Sequence, residues 1–302
     1  MTMHSTIEQF LQYLSHELNY SQLTVAAYRN DLKQWCEAVT GGGARELDLA
    51  TIEAADVRMW MVQRADAGDC ARTLRRKVQS VRALFRYLMK RGLVAENPAA
   101  DVELARTPKP LPDHVRTQNM DALLDEEIDR SDFTAVRDRL VMLMLYETGM
   151  RRAELIGLLD AHVDTGKGEL RVHGKRDKDR VIPFGHELAQ WIETYRALRQ
   201  ELHVGDEEFF VRPGGGKLYP SLVYNIVHSN LARVGGSRKM SPHVLRHTFA
   251  SVMLNSGAGL ESVKEILGHE SLATTQIYTH ITFNQLKENY KHAHPRALKK
   301  GE

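Results

Sequence analysis

The helical pattern in the middle of the chain is interrupted at Tyr146-Glu147-Thr148-Gly149-Met150-Arg151-Arg152-Ala153-Glu154-Leu155, where a glycine stands before two arginines. Glu154 follows Arg151 by three residues, so both side chains lie on one face of a helix and the carboxylate can orient the guanidinium. Alone, the pair predicts little, because most arginine–glutamate pairs on helices lie on the surface and contribute under about 1 kcal/mol. Its meaning depends on the residues that the rest of the chain supplies.

A second stretch, Ser241-Pro242-His243-Val244-Leu245-Arg246-His247, predicts the start of a helix, with its serine as the N-cap and proline in the first turn. His243 and Arg246 share a helix face, and both can donate to phosphate oxygens near the positive end of the helix dipole. One alternative is a metal site made by His243, His247 and His269. Against it, valine replaces the glutamate base of His-Glu-x-x-His, and the arginine repels a cation. Another alternative is a capped helix whose polar residues face solvent.

The third candidate is Tyr278 in Thr274-Thr275-Gln276-Ile277-Tyr278-Thr279-His280, nine residues after the histidine of Leu267-Gly268-His269-Glu270. Its ordinary pKa near 10 keeps a tyrosine protonated, so it is a nucleophile only where cationic groups converge on it; otherwise it belongs to a core or an interface. The chain offers five such groups: Arg151, Lys175, His243, Arg246 and His269. No carboxylate cluster in the sequence suits Mg²⁺, and no glycine-rich loop suits a nucleotide. The set predicts phosphoryl transfer to tyrosine without a metal or other cofactor.

A proline-rich stretch, Ala105-Arg106-Thr107-Pro108-Lys109-Pro110-Leu111-Pro112, divides the chain, because three prolines at alternate positions favour an extended connector. We expect an N-terminal domain over residues 1–105, a linker over 106–115 and a second domain over 116–302. Apolar periodicity predicts four helices in the first domain, the second of them capped by Ser21. In the second domain it predicts helices over about 117–129, 135–148, 151–159, 187–202, 221–234, 242–256, 260–267, 271–280 and from 282, with short strands at 168–173 and 180–183. The expected fold class is mainly α, with a small β-sheet in the second domain.

The composition limits the class of protein. Hydrophobic residues make up 42% of the 302 residues, too many for a disordered chain. No apolar run has the length of a membrane span, and the first residues lack a signal-peptide pattern. The two cysteines, Cys36 and Cys70, have no paired spacing, which excludes a disulfide scaffold and a cysteine-built zinc site and is typical of a cytoplasmic protein.

The net charge of +2, from 41 basic and 39 acidic residues, hides a segregation of charge along the chain. Residues 72–91 and 209–260 contain basic residues and no acidic ones. The first tract predicts a helix, and its basic residues off the apolar stripe are candidates for contact with a nucleic acid or another polyanion: Arg75, Arg82, Arg86 and Lys90. The alternative is an ordinary solvent-exposed helix face.

Taken together, these stretches resemble the tyrosine recombinases, and among them the Xer site-specific recombinases of bacteria. The resemblance also includes Gly174-Lys175, His294-Pro295-Arg296-Ala297 and, in the first domain, Ser21 to Trp35, so it covers nearly the whole chain. It implies an N-terminal helical core-binding (SAM-like) domain and a catalytic domain, which close as a C-shaped clamp around duplex DNA.

The resemblance implies a six-residue active site, made up of Arg151, Lys175, His243, Arg246, His269 and Tyr278, with Glu154 in support. Arg151 and Arg246 hold the scissile phosphate, and His269 bonds a non-bridging oxygen of that phosphate. Tyr278 attacks to form a 3′-phosphotyrosyl link, His243 helps to remove its proton, and Lys175 protonates the leaving 5′ oxygen.

The implied function is recombination through a Holliday junction, which resolves chromosome dimers at a dif-type site during cell division, in the cytoplasm at the nucleoid. The implied partners are double-stranded DNA, a sister Xer recombinase in a heterotetramer and a DNA translocase of the FtsK type. A C-terminal helix is expected to dock its apolar stripe on a neighbouring subunit, or alternatively on its own domain; the stripe is Ile281, Phe283, Leu286 and Tyr290. The alternative functions are a phage- or transposon-type integrase, a type IB-like topoisomerase and a non-catalytic DNA-binding regulator.

Overall fold

In the computed structural model, the described residues are 3–42, 48–104, 114–174, 179–202, 205, 207–235, 240–268, 290, 293–294 and 296. The chain divides into two compact units, Met1–Pro110 and Leu111–Glu302, and this division falls within the predicted linker. The described part is mainly helical with one small sheet, which confirms the predicted fold class. None of the helices in these ranges is long and apolar enough to cross a membrane.

In the described part of the first unit the helices are α1 (Met3–His16), α2 (Gln22–Val39), α3 (Ala54–Asp66) and α4 (Ala71–Lys90), with a short 3-10 helix at Leu49–Thr51. Helix α2 begins as predicted, because the hydroxyl of Ser21 accepts the backbone N–H of Thr24 at 3.3 Å. The apolar stripe of α4 is buried, and its Phe85 meets Trp35 of α2 edge to face at 5.7 Å. This contact lies in the core of the first unit.

In the described part of the second unit the helices are α5 (Thr117–Leu124), α6 (Phe133–Thr148), α7 (Arg152–Ile156), α8 (His186–Glu201), α9 (Pro220–Val234), α10 (Pro242–Asn255) and α11 (Leu260–Leu267), with a 3-10 helix at Asp160–His162. Helix α6 is the centre of this unit, since every residue from Arg139 to Thr148 is buried. A helix buried on all sides belongs to a core, and α8, α9 and α10 pack against it.

The sheet has three antiparallel strands in the order β1 (Val163–Asp164), β2 (Glu169–His173) and β3 (Asp179–Pro183). Strands β2 and β3 pair from Glu169 opposite Pro183 to His173 opposite Asp179, which confirms the two predicted strands. Strand β1 was not predicted, because two residues are too few to show an alternating pattern.

Two helices of the second unit are shorter than predicted. Helix α5 ends at Leu124 instead of near residue 129. Arg139 donates there to the carbonyls of Leu124 and Glu126, so the chain can leave the helix without exposing unpaired carbonyls to the protein interior. Helix α7 ends at Ile156, and Gly157 follows it. The predicted helices over 271–280 and from 282 lie almost entirely outside the described residues.

Candidate active site

The site begins where α6 ends. Gly149 has a left-handed conformation (φ +60°), and a Cβ there would lie 2.5 Å from a ring carbon of Phe249 and 2.8 Å from a methyl group of Leu267. Only glycine fits this position. The end of α6 therefore packs directly on α10 and α11, and Arg151 at the N-cap of α7 follows at once.

Glu154 is the buried carboxylate of the site. Its Oε1 accepts from Nη1 of Arg151 at 2.8 Å and from Nη1 of Arg180 at 2.9 Å. Its Oε2 accepts from the backbone N–H of Arg151 at 2.7 Å and from Nη2 of Arg180 at 2.8 Å. Burial alone would raise the pKa of Glu154, but the hydrogen bonds and charges of the two arginines outweigh it and lower the pKa to about 2. Glu154 is ionised at neutral pH, and the ion pair indicated by its spacing from Arg151 is present.

Arg246 on α10 is buried, with 7% of its surface exposed. Its Nη1 donates to the carbonyl of Gly149 at 2.7 Å and its Nη2 to the carbonyl of Leu267 at 2.5 Å. Burial, together with the charge of Arg151, lowers the pKa of Arg246 to about 10, which leaves it cationic at neutral pH. The side chain of Arg151 is 34% exposed, so this guanidinium remains open to a ligand.

Three successive carbonyls at the end of α11 each accept a hydrogen bond from a different arginine. The pairs are Ile266 with Arg180 (2.6 Å), Leu267 with Arg246 (2.5 Å) and Gly268 with Arg151 (2.9 Å). The last carbonyls of a helix have no partner within it and form the negative end of its dipole, so cations stabilise this end. The arrangement fixes the point at which the chain continues toward His269.

His243 lies in the first turn of α10, where its surface is partly covered and partly open to solvent. Partial burial, and after it the charge of Arg152 and of the other cations nearby, lowers the pKa of His243 from its ordinary value. A neutral imidazole can accept a proton at pH 7. Ser241 is the N-cap of this helix and Pro242 lies in its first turn, as predicted, but the hydroxyl of Ser241 makes no capping bond; the N–H of Val244 donates instead to the backbone carbonyl of Ser241 at 2.9 Å.

Three of the six predicted catalytic residues, Lys175, His269 and Tyr278, lie outside the described residues, and their roles stay predictions. The flanking elements are described: β2 ends at His173 and β3 begins at Asp179, on either side of Lys175, and α11 ends at Leu267, two residues before His269. Within the described ranges, no three histidine, cysteine or acidic residues form a group that could hold a metal ion. His269, the third ligand that the metal hypothesis requires, lies outside the described ranges.

Arg180 is a residue of this site that no motif in the sequence indicates. It lies 26 residues from Glu154 on a short strand, and no local pattern indicates a buried ion pair. Its place at the start of the strand that follows Lys175 is the one feature that could have drawn attention to it.

The four basic residues predicted to contact DNA have different environments on α4. Arg82 is half-buried and donates to the carbonyls of Ala99 at 2.7 Å and Val102 at 2.8 Å, which gives it a structural role in the first unit. Arg75 is partly buried, whereas Arg86 and Lys90 are exposed. DNA contact stays a prediction for this helix, and Arg86 and Lys90 are its most accessible candidates.

The end of the chain packs into the core of the second unit where it is described. His294 stacks on Tyr290 at 5.4 Å and on Phe249 at 5.7 Å. Arg296 is 1% exposed and forms ion pairs with Asp125 (2.9 Å), Asp121 (3.4 Å), Glu147 (3.9 Å) and Glu187. At Tyr290 the structure thus shows packing on its own domain. The rest of the predicted stripe, Ile281, Phe283 and Leu286, lies outside the described residues, and docking on a neighbour stays a prediction.

Known protein families match the chain in both of its units. The phage integrase family matches residues 114–285, more than half of the chain, and the N-terminal SAM-like domain of phage integrases matches residues 7–92. The tyrosine recombinase XerC of Chlorobaculum tepidum is 38% identical, over 96% of this chain and 94% of that protein. The tyrosine recombinase XerC of Yersinia pestis is 36% identical, over 96% and 95%.

Solved structures share the fold. The XerH site-specific recombinase bound to its difH substrate has a TM-score of 0.68 at 23% identity, over 94% of this chain and 83% of that one. The Tn1549 transposon integrase in complex with a circular intermediate DNA has a TM-score of 0.71 at 16% identity, over 96% and 99%. The matches to both domains, and relatives above 30% identity over nearly their whole length, show that the chain belongs to the phage integrase family, as a tyrosine site-specific recombinase of the Xer type.

Proposed function

We propose that this chain cuts and rejoins DNA at a dif-type site and so resolves chromosome dimers during cell division. The observation that carries the proposal is the pair of guanidiniums, Arg151 and Arg246, held by Glu154 and by the end of α11. The names of the XerC relatives support it, as does the fold shared with a XerH recombinase solved on a difH substrate.

The two arginines are suited to a phosphodiester. A guanidinium has five N–H donors. Among the described residues, Arg151 uses two of them on Glu154 and Gly268, and Arg246 uses two on backbone carbonyls, so each keeps donors for non-bridging oxygens. Charge-assisted bonds from two fixed guanidiniums bind the phosphate and stabilise the charge that grows on it during attack.

In the proposed reaction, the Oη of Tyr278 attacks the phosphorus while the bond from phosphorus to O5′ breaks. The phenol proton passes to the neutral imidazole of His243, and Lys175 gives a proton to the leaving O5′. His269 bonds a non-bridging oxygen. The phosphotyrosine keeps an ester bond, so a second strand can reverse the step by attack of its 5′-hydroxyl without ATP, and two such exchanges through a Holliday junction complete recombination.

A nicked duplex that carries the dif-type site of the host chromosome tests this reaction. Cleavage releases a short fragment that carries the free 5′-hydroxyl, and because this fragment diffuses away, the strand cannot be rejoined and the protein stays covalently attached. We expect the wild-type chain to form an adduct on a denaturing gel and Tyr278→Phe to form none. Tyr290→Phe is the matched control, since Tyr290 is buried in the core and loses only its hydroxyl. An adduct with Tyr278→Phe contradicts the assignment, and relaxation of supercoiled DNA that lacks the site indicates a type IB-like topoisomerase instead.

The proposed assembly is a heterotetramer on double-stranded DNA with a sister Xer recombinase, activated by a DNA translocase of the FtsK type, at the nucleoid. The family and the XerC relatives support this proposal. Footprinting on the host's resolution site, with this chain alone and with the sister recombinase, measures it. We expect protection of one half-site alone and cooperative protection of both together; independent binding of the two proteins contradicts the assembly.

A further inference from the structure

Arg180 joins three elements of the active site, although the proposed chemistry gives it no task. Its side chain is 12% exposed. From β3, its two Nη atoms donate to the two carboxylate oxygens of Glu154 at 2.9 and 2.8 Å, and its Nε donates to the carbonyl of Ile266 at 2.6 Å. A two-pronged pair of this kind allows one relative orientation of guanidinium and carboxylate. Arg180 therefore ties β3 to α7 and to the end of α11.

Arg180 also decides how Glu154 can hold Arg151. Each oxygen of Glu154 accepts one bond from Arg151 and one from Arg180. Without Arg180 the buried carboxylate loses two of its four hydrogen bonds. A buried charge without partners is costly, so the carboxylate would draw other donors toward it. The guanidinium of Arg151, 34% exposed, is the adjacent donor that can move. It would turn toward Glu154 and away from a bound phosphate.

The second anchor of Arg151 also contacts Arg180. Gly268, whose carbonyl accepts from Nη2 of Arg151 at 2.9 Å, has φ +63°. A Cβ at Gly268 would lie 3.3 Å from Cδ and Nη1 of Arg180, tighter than an ordinary contact. Arg180 thus packs against Gly268 and bonds Glu154, the two groups that orient the guanidinium of Arg151.

We infer that Arg180 is a positioning residue for strand cleavage: it fixes Glu154 and Gly268 so that Arg151 meets the scissile phosphate, and it does not itself contact the DNA. This inference rests on the proposed function and deepens it. The competing explanation is an ion pair that only stabilises the domain, and the experiment has to separate the two.

The experiment measures single-turnover adduct formation on the nicked dif-type duplex for Arg180→Gln and Arg180→Lys. For Arg180→Gln we expect a rate lower by about 10- to 100-fold, as for the loss of an outer partner that orients a metal ligand, with Arg151 here in the place of the ligand. The affinity for the duplex should change by less than about 3-fold, and Arg180→Lys, which keeps the charge, should lie between. Arg196→Gln is the matched control: Arg196 on α8 also links a carboxylate, Asp160 at 3.0 Å, to a carbonyl, Val163 at 2.8 Å, and its loss should leave the rate unchanged.

A methylphosphonate at the scissile position separates positioning from stability, because it lacks one charged oxygen and has less need of a cation. If Arg180 acts through Arg151, Arg180→Gln should cleave the methylphosphonate duplex at a rate within about 3-fold of the wild-type rate. Arg151→Gln should do the same, because the substrate no longer needs the cation that this variant lacks. Arg180→Gln cleaving the phosphate duplex at the wild-type rate overturns the inference. So does a folded variant, checked by thermal unfolding, with the same defect on both duplexes.

A measurement without DNA keeps this inference distinct from the proposed function. If the wild-type chain forms no adduct, the proposed function fails, and crystal structures of wild type and Arg180→Gln decide the role of Arg180. We expect Nη2 of Arg151 to leave the carbonyl of Gly268 and both Nη atoms to bond Glu154 in the variant. An unchanged Arg151 overturns the inference.

Discussion

Replacement of Glu154 by glutamine tests the electrostatics of the site directly. The amide keeps the size of the carboxylate, but it carries no charge and has a single acceptor oxygen. Arg151 and Arg180 would lose both of their ion pairs, and Arg246 close by would lose the carboxylate that balances its charge. We expect the Glu154→Gln chain to be less stable than the wild type and to cleave DNA more slowly.

The magnitude follows from the pKa of Glu154, which the fold lowers from 4.5 to about 2. At about 1.36 kcal/mol for each pKa unit, the ionised carboxylate contributes about 3 kcal/mol to the free energy of unfolding at neutral pH. Because the folded pKa lies below the unfolded one, the contribution is complete above about pH 5 and is lost as the pH falls toward 2. Glutamine does not titrate, so the difference between wild type and Glu154→Gln should shrink from about 3 kcal/mol at pH 7 to about 2 kcal/mol at pH 3.5.

The assay needs a probe of the catalytic unit alone, and Trp191 on α8 provides it, since the other two tryptophans of the chain, Trp35 and Trp60, lie in the first unit. Urea unfolding of the 5-fluorotryptophan protein, followed by ¹⁹F NMR at the Trp191 signal, gives the free energy at each pH. Glu193→Gln is the control: its pair with Arg196 is 3.2 Å long and the Glu193 side chain is 58% exposed, so its loss should cost under about 1 kcal/mol. A loss below about 1 kcal/mol for Glu154→Gln at pH 7, or one that does not vary with pH, refutes the reasoning.

Three further predictions concern the turn before the site, helix α4 and the general base. Gly149→Ala should lose roughly 2–4 kcal/mol, because φ is +60° and the new methyl would lie 2.5 Å from a ring carbon of α10; an unchanged thermal unfolding midpoint contradicts this. In DNA-binding titrations at several salt concentrations, Arg86→Glu should flatten the salt dependence by about one unit of slope for each phosphate that the helix no longer neutralises. Arg82→Gln should instead destabilise the first unit, and an unchanged slope for Arg86→Glu leaves α4 as a solvent-exposed face. The cleavage rate should fall at acid pH with a midpoint below pH 6.5, because the pKa of His243 is lowered. Arg152→Gln removes one of the charges that lower this pKa and should move the midpoint to higher pH; an unchanged midpoint argues against His243 as the base.

The helices could be predicted wherever local sequence alone determines them. The predicted helix 260–267 agrees with α11 at both ends, since Gly259 and Gly268 bracket one amphipathic run. The prediction failed where a distant residue sets the boundary. Helix α5 stops at Leu124 because Arg139, 15 residues away, takes the carbonyl there, and periodicity within α5 carries no trace of that bond.

The same distinction applies to the site. The ion pair of Arg151 and Glu154 could be predicted from their spacing of three residues, and the structure forms it at the start of α7, where Arg151 is the N-cap. Arg180 could not, because its partners lie 26 and 86 residues away along the chain. Arg82 shows the converse case. Its position off the apolar stripe predicts a solvent-exposed side chain, but residues 97–102 pack against it: its guanidinium donates to two carbonyls of this segment, and its backbone carbonyl accepts from Asn97.

The balance of charge in the site explains why a third arginine belongs to it. Arg151, Arg180 and Arg246 carry three positive charges, and Glu154 carries one negative charge, so this set holds two positive charges. A phosphodiester carries one negative charge, whereas the five-coordinate state carries about two once the phenol proton has passed to His243. The set is therefore matched to the transition state more closely than to the bound DNA, and only such a difference accelerates cleavage. Loss of Arg180 would leave one positive charge, which suits the ground state, so the substitution should lower the rate of cleavage far more than the affinity for DNA.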